Sequence, residues 1–464
     1  MRYVSTRGRA PVLGFDDVLL AGLATDGGLY VPETWPQFSP ADFESFAGLD
    51  YPALAARVMA PFVKGSVLEN KLEDLTRRAY ASFTHPAVAP MVQTGANEWL
   101  LELFHGPTLA FKDFALQVVG LMFDEVLKAR KARITIVGAT SGDTGSAAIE
   151  ATKNRDAIDI FILHPSGRTS EVQRRQMTTV DAKNVHNIAI EGTFDDCQNM
   201  VKALFADAAF RDTFHLSAVN SINWARIMAQ IVYYIWAAVH VGAPHRKVAF
   251  AVPTGNFGNV FAGYCAHRMG LPVARFLVGS NANDILTRYF ETGAMTSNGV
   301  VPTLSPSMDI QISSNFERLL FESSNRDGAA VSRYMDQFKQ SGSYTVDPVA
   351  HAKMLELFSG TRLDDAGILK FVERVHQANG YVLDPHSAVG LFAARVAGLE
   401  SAIPVIALAT AHPAKFPDAV EKATGTRPSM PRALAEVFHR SEHFTTLPND
   451  LDQLRKLIRE RVSA

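Results

Sequence analysis

The chain predicts an α/β protein made of two open, doubly wound sheets with an additional module in front of them. Three observations carry that expectation. From about residue 97 onward, short apolar runs alternate with helical stretches, the βαβ rhythm of a parallel sheet. The runs at 98–104, 133–138, 158–163, 185–190, 248–252, 273–278 and 405–408 are mostly rich in Val, Ile, Leu and Ala, as strands covered on both faces are. Two of them pass through a glycine-rich turn straight into a helix.

A length of 464 residues allows two or three domains. Hydrophobic residues make up 47% and charged residues 20%, the balance of an ordinary globular protein with a large core. The formal net charge of -2 offers no basic field for nucleic acid or an anionic membrane surface, so any anion site must be local. Cys197 and Cys265 lie far apart and match no metal-ligand spacing. They argue against a disulfide framework or a metal site and suit a reducing cytoplasm. The opening octapeptide has no apolar core, so no signal peptide is expected. The most membrane-like run, 227–241, is short and contains Gln230 and His240, which predicts a buried helix.

Taken in order, residues 1–96 form a distinct opening. Asp26-Gly27-Gly28-Leu29-Tyr30-Val31-Pro32 is a turn followed by an extended piece. Residues 39–83 are helical by period, with Leu54, Val58 and Phe62, then Leu72, Leu75 and Ala79, three and four apart. Nothing there looks chemical, and a docking or oligomer-forming module is expected. The strand and helix alternation follows. Residues 281–345 are rich in Ser, Asn, Gly and Pro around short helices and read as loop-rich. The tail, 451–462, puts Leu454, Leu457, Ile458 and Val462 on one helical face.

Lys112 is the first residue with a chemical reading. It follows a Gly106-Pro107 turn signal and lies between Phe111 and Phe114, where an apolar helix begins. Desolvation in such a first turn lowers the lysine pKa and exposes a neutral nucleophilic amine, as a Schiff-base lysine requires. The plainer alternative is a lysine reaching to solvent along an apolar face. Ala139-Thr140-Ser141-Gly142-Asp143-Thr144-Gly145-Ser146 joins a strand to a helix. Its glycines allow a tight turn, and free N–H groups at the helix start suit a carboxylate or phosphate. It completes neither a dinucleotide fingerprint nor a P-loop, and a simple capped turn explains it equally well. Val252-Pro253-Thr254-Gly255-Asn256-Phe257-Gly258-Asn259 repeats the pattern, with two glycines bracketing Asn-Phe so that successive amides converge on one anion. The 405–408 strand delivers Thr410 at its C-terminal end, where α/β sheets contact ligands. His412 beside it reads as a structural histidine. Arg226, behind Asn220-Ser221-Ile222-Asn223, is either an anion clamp or half of a surface salt bridge.

Together these stretches resemble the threonine synthases, pyridoxal 5'-phosphate (PLP) enzymes of the tryptophan-synthase-β type, or fold type II. The resemblance runs through the 3–8 opening, the 26–32 turn, the 105–114 lysine motif, 141–145, 220–223, 255–259 and Thr410-Ala411-His412-Pro413-Ala414-Lys415-Phe416. It is closer to the longer bacterial and fungal branch than to the plant-like one. The division expected with it is an N-terminal module, 1–96, a large cofactor-binding domain, 97–128 with 217–464, and a small mobile substrate domain, 129–216.

The resemblance implies roles residue by residue. Lys112 carries PLP as a Schiff base. The amides of Gly255, Asn256, Phe257, Gly258 and Asn259 hold its phosphate. Thr410 meets the pyridine nitrogen, and Phe111 packs near the ring. Ser141, Gly142, Asp143 and Thr144 bind the substrate carboxylate, and Arg226, or Lys415 among other basic residues, its phosphate. The implied reaction converts O-phospho-L-homoserine and water to L-threonine and phosphate, the last step of threonine biosynthesis. It proceeds by elimination at Cγ and addition of water at Cβ, in a cytoplasmic monomer or weak homodimer. A dehydratase on the same fold, a lyase that stops after elimination, and a non-catalytic binder of phosphometabolites are the competing readings. The dehydratase separates by product, 2-oxobutyrate and ammonia in place of threonine and phosphate. The lyase releases phosphate without threonine, and the binder purifies colourless.

Overall fold

The computed structural model describes residues 1–218 and 221–462. Its main sheet has six strands in the order Phe358–Arg362, Val273–Ser280, Val248–Pro253, Val405–Ala409, Glu98–Glu102 and Met91–Gly95. All neighbours run parallel except the last pair, a hairpin. A second sheet has five parallel strands in the order Thr445–Pro448, Val185–Glu191, Ile158–Pro165, Ile134–Ala139 and Leu216–Ser217. The apolar runs therefore became strands, with boundaries shifted by one or two residues. They are apolar throughout because helices cover both faces.

Two long helices organise the space between the sheets. Trp224–His240 is buried at every position from 224 to 239, as expected for the 227–241 run. Among the described residues no helix is long and apolar enough to cross a membrane. Lys112–Arg130 lies against that helix, against Leu72–Tyr80 and against Asp143–Thr152 of the second unit. The last contact is very close: a Cβ on Gly120 would stand 2.3 Å from the Ala151 carbonyl oxygen. Only a residue without a side chain lets these two helices touch.

The N-terminal helices Pro40–Phe46, Tyr51–Val63 and Leu72–Tyr80 follow the predicted period. Their apolar faces are continuous with the core of the six-stranded unit rather than forming a core of their own. Phe114 joins this core, with its ring edge-on to Tyr51, Phe83 and Tyr233. It therefore does not form the apolar seat of the Lys112 amine; at two residues past Lys112 its side chain points to the opposite side of the helix. The strand Met91–Gly95, placed by sequence in the opening module, is the edge of the main sheet.

The tail corrects the expected division. Residues 217–464 were grouped with the large domain, yet Thr445–Pro448 pairs with Val185–Glu191. Leu454 and Ile458 of the helix Leu451–Arg461 are fully buried against Val137, Phe161 and Leu163. The amphipathic face is as predicted; its surface is the five-stranded unit. A four-residue edge strand ending in proline carries too little signal to place it. Between residues 281 and 345, short elements and loops alternate as expected, apart from the longer helix Gly328–Ser341. The Asp309 carboxylate gathers this loop: it accepts from Asn281 at 2.8 Å, Asn283 at 3.0 Å and the Thr303 hydroxyl at 2.6 Å.

Candidate active site

Lys112 is the first residue of its helix, and the preceding turn fixes where it points. The buried Asp113 carboxylate accepts both the N–H and the hydroxyl of Thr108, each at 2.8 Å. Gly106 passes so close that a Cβ there would lie 2.5 Å from the Asp113 Cβ. Burial raises the Asp113 carboxyl to about 7, against the pull of the Thr108 bonds. Phe111 N–H donates to the Thr410 carbonyl at 2.9 Å, and His412 N–H to that of Leu109 at 3.0 Å. These bonds place Lys112 beside the end of the Val405–Ala409 strand.

The Lys112 amine stands 3.3 Å from Asp143 Oδ2 and 5.1 Å from the centre of the Phe111 ring. The other Asp143 oxygen is 2.8 Å from the Lys415 ammonium, which is fully buried and also donates to the Thr108 carbonyl at 2.7 Å. Asp143 further accepts from Gln173 at 3.0 Å and from the Ser307 hydroxyl at 3.2 Å. Burial pulls Lys112 below the ordinary lysine range; Asp143 opposes this, while Lys415 and Arg226 reinforce it. Burial alone would raise the Asp143 carboxyl, but Lys415 and Lys112 hold it well below the usual range. One carboxylate is thus shared between two lysines, and the amine expected in an apolar seat sits in a buried charge cluster.

Lys112 opens into a cavity whose empty volume is about 720 Å³, open solvent at its mouth included. Phe111, Asp143, Thr144 and Thr410 line it, as do Gly255, Asn256, Gly258 and Asn259. The 255–259 loop is braced from outside. The Ser313 hydroxyl donates to the Gly255 carbonyl at 2.7 Å, and Asn315 N–H to that of Asn256 at 3.1 Å. Gly255 faces Ile310, to which a Cβ would come within 3.0 Å. Phe257 has a left-handed backbone, φ 61°, and its side chain is buried among Phe290, Phe316 and Phe358. Its N–H donates to the Thr254 hydroxyl at 3.1 Å. Phe257 therefore shapes the loop and is not on the cavity wall, unlike the residues expected beside it. Gly258 and Asn259 begin the helix Gly258–Arg268, where N–H groups have no acceptor within the helix.

Arg226 is 3% exposed and lines the same cavity. Its Nε and Nη1 have no partner among the described residues, and the same holds for Asn259 Nδ2. Burial lowers the Arg226 pKa to about 10. A desolvated guanidinium without an anion is unfavourable and becomes tolerable when an anion enters. The surface salt bridge is thus excluded for Arg226. Asn220, ahead of it in the sequence, lies outside the described residues; Asn223 caps the Trp224–His240 helix through the Ala225 N–H.

The 139–146 loop is arranged differently. Thr140 Oγ1 accepts the N–H of Gly142 at 3.0 Å and of Gly145 at 2.9 Å. Ser141 is exposed, and neither it nor Gly142 reaches the cavity wall, in contrast to Asp143 and Thr144. The turn aims Ser141 outward, and a Cβ on Gly142 would meet Gln173 at 2.5 Å.

Ser307, Gln230 and His386 also line the cavity and escaped the sequence reading. His386 is hidden in Asp384-Pro385-His386, which reads as an ordinary helix start, and Asp384 does cap Pro385–Val396. Ser307 arrives on a loop with no period. Lys415, the other basic residue expected to reach the substrate phosphate, is already occupied by Asp143.

Comparison with known proteins extends over nearly the whole chain. Family models match residues 2–80 (threonine synthase N terminus), 86–410 (pyridoxal-phosphate dependent enzyme) and 387–458 (threonine synthase, C-terminal). Threonine synthase of Pseudomonas aeruginosa is 54% identical over 459 residues, covering 99% of this chain and 98% of that one. The crystal structure of PLP-bound threonine synthase from Brucella melitensis is 54% identical with a TM-score of 0.98, covering 100% of both chains. Threonine synthase from yeast is 39% identical with a TM-score of 0.95, covering 99% and 98%.

Proposed function

The chain belongs to the threonine synthase family, and we propose that it converts O-phospho-L-homoserine and water to L-threonine and phosphate. It is a PLP-dependent enzyme of that family's fold. The observation that carries the substrate reading is a single cavity holding a buried lysine with lowered pKa, a braced glycine loop and an unpartnered guanidinium.

The residues fit the cofactor. Lys112 would bond its aldehyde carbon. Helix-start amides at Gly258 and Asn259, with Gly255 and Asn256 beside them, would take its phosphate. The Thr410 hydroxyl would face the pyridine nitrogen, and Phe111 its ring. Bound there, PLP supplies an electron sink for negative charge beside the amino-bearing carbon.

The chain's own groups do the rest. Lys112, whose hold on a proton is weakened by burial, accepts the Cα proton and moves protons at the neighbouring carbons. The N–H groups of Asp143 and Thr144, at the start of their helix, orient the substrate carboxylate. Arg226 takes the substrate phosphate as a charge-assisted pair. The five-stranded unit covers the cavity through Asp143 and keeps water from arriving early. We take the protein to be a cytoplasmic monomer or weak homodimer; its two cysteines, buried and unbridged, suit a reducing compartment. The test is a turnover assay on O-phospho-L-homoserine following both products. Threonine and phosphate in equal amounts are expected; phosphate without threonine, or 2-oxobutyrate with ammonia, would overturn the reading.

A further inference from the structure

We propose that His386, oriented by Asp384, is a second proton carrier of this site. It gives the departing phosphate its proton and recovers one from the water that adds at Cβ. The inference rests on the reaction proposed above.

The geometry is that of an oriented imidazole. His386 is 4% exposed and lines the cavity that holds Lys112. Its Nδ1 is 2.9 Å from Asp384 Oδ1, and the carboxylate is fully buried. Its Nε2 accepts the Ser307 N–H at a long 3.3 Å. A carboxylate behind Nδ1 fixes the orientation of the ring and leaves Nε2 for a reactant. Asp384 does more than cap its helix. It also holds the Ser387 hydroxyl, whose oxygen accepts the Thr410 N–H at 3.0 Å. One buried carboxylate therefore sets both the imidazole and the strand end that carries Thr410. Ser307 stands between the two titratable groups: its N–H meets His386, and its hydroxyl meets Asp143, which pairs with Lys112.

Proton balance calls for such a group. Breaking the Cγ–O bond leaves the electron pair on the phosphate oxygen, which needs a proton to depart as hydrogen phosphate. Adding water at Cβ leaves a hydroxyl there and releases a proton. Lys112 is engaged with the protons on carbon. Nε2, an acceptor in the ligand-free ring, takes up one proton as the substrate binds, gives it to the departing phosphate and receives the water's proton at the same atom, so each turnover leaves the ring charged as the next one needs it.

The test separates carbon chemistry from phosphate departure, using the PLP-loaded enzyme in D2O. One substrate is O-phospho-L-homoserine. The other is L-2-amino-5-phosphonopentanoate, in which a methylene replaces the ester oxygen and no phosphate can leave. For His386→Gln we expect phosphate release to fall about 100-fold or more. Deuterium exchange at Cα of the phosphonate, which reads Lys112 and the fold, stays near the wild-type rate. His386→Asn, which keeps a donor toward Asp384, gives the same split. Phosphate release at the wild-type rate, or equal loss of release and exchange in both variants, overturns the proposal. Wild-type enzyme that exchanges the phosphonate but forms no threonine from O-phospho-L-homoserine refutes the reaction instead.

Discussion

The two glycine-rich loops look alike in sequence and are built for different purposes. In the 139–146 loop, Thr140 satisfies two of the helix-start amides and Asp143 is neutralised by two lysines. In the 255–259 loop, the hydroxyls of Ser313 and Ser314 brace the outer side, and the inner side meets an arginine and an asparagine amide with no partner among the described residues. The first loop has its side-chain charges paired and keeps only the N–H groups of Asp143 and Thr144 for the substrate carboxylate. The second is completed by an anion. Two loops of the same strand, glycine turn and helix pattern therefore differ in whether the surrounding charges are already paired.

Substitutions that remove one charge from each loop should move stability in opposite directions. Asp143→Asn leaves the Lys415 ammonium buried with one carbonyl and should lower unfolding free energy by about 3–5 kcal/mol in urea titration. A loss under about 1 kcal/mol would mean that the pairing carries no weight. Arg226→Met removes a buried cation whose Nε and Nη1 have no partner among the described residues, so the ligand-free protein should be unchanged or gain about 1–2 kcal/mol. The same variant should lose about 10- to 100-fold in apparent affinity for O-phospho-L-homoserine. Weakened PLP binding with an unchanged substrate KM would instead assign Arg226 to the cofactor phosphate.

Smaller changes sharpen the contrast in backbone. Gly142, at φ 147° and against Gln173, should cost about 1–3 kcal/mol as alanine. Gly258→Ala comes within 3.1 Å of the Asn315 amide and 3.4 Å of Ile227, without a positive φ, and should cost less than Gly142→Ala. Equal penalties would contradict the claim that the first loop is the more constrained. A pH-dependent effect concerns the turn before Lys112. Asp113 titrates near 7 when folded and near 3.9 unfolded, so the folded chain binds more protons between those values. Stability from this group is full below about pH 4 and is lost as pH rises through 7. Asp113→Asn should flatten that slope, read as the urea midpoint at pH 5 and pH 8.

Much of this site could be read from the chain because its parts are local. Lys112 and both loops sit at strand ends with their own glycine and proline punctuation. What escaped depends on contacts far apart in sequence. Lys415 looked free for phosphate; only folding shows it beside Asp143, 272 residues away by numbering. Phe257 looked like part of the cradle, but its left-handed backbone turns it into the aromatic core. Phe114 looked like a wall for Lys112 and packs instead with Tyr51 and Phe83. The strand Thr445–Pro448 was invisible because its partner lies in the other unit and four residues leave no period.

We place the cofactor on the Lys112 amine and not on that of its buried neighbour Lys415. Borohydride reduction of the PLP-loaded protein, followed by digestion and mass spectrometry, tests it directly. A pyridoxyl phosphate adduct is expected on the peptide containing Lys112 and none on the peptide containing Lys415. An adduct on Lys415, or full turnover by Lys112→Ala without any adduct, would contradict it.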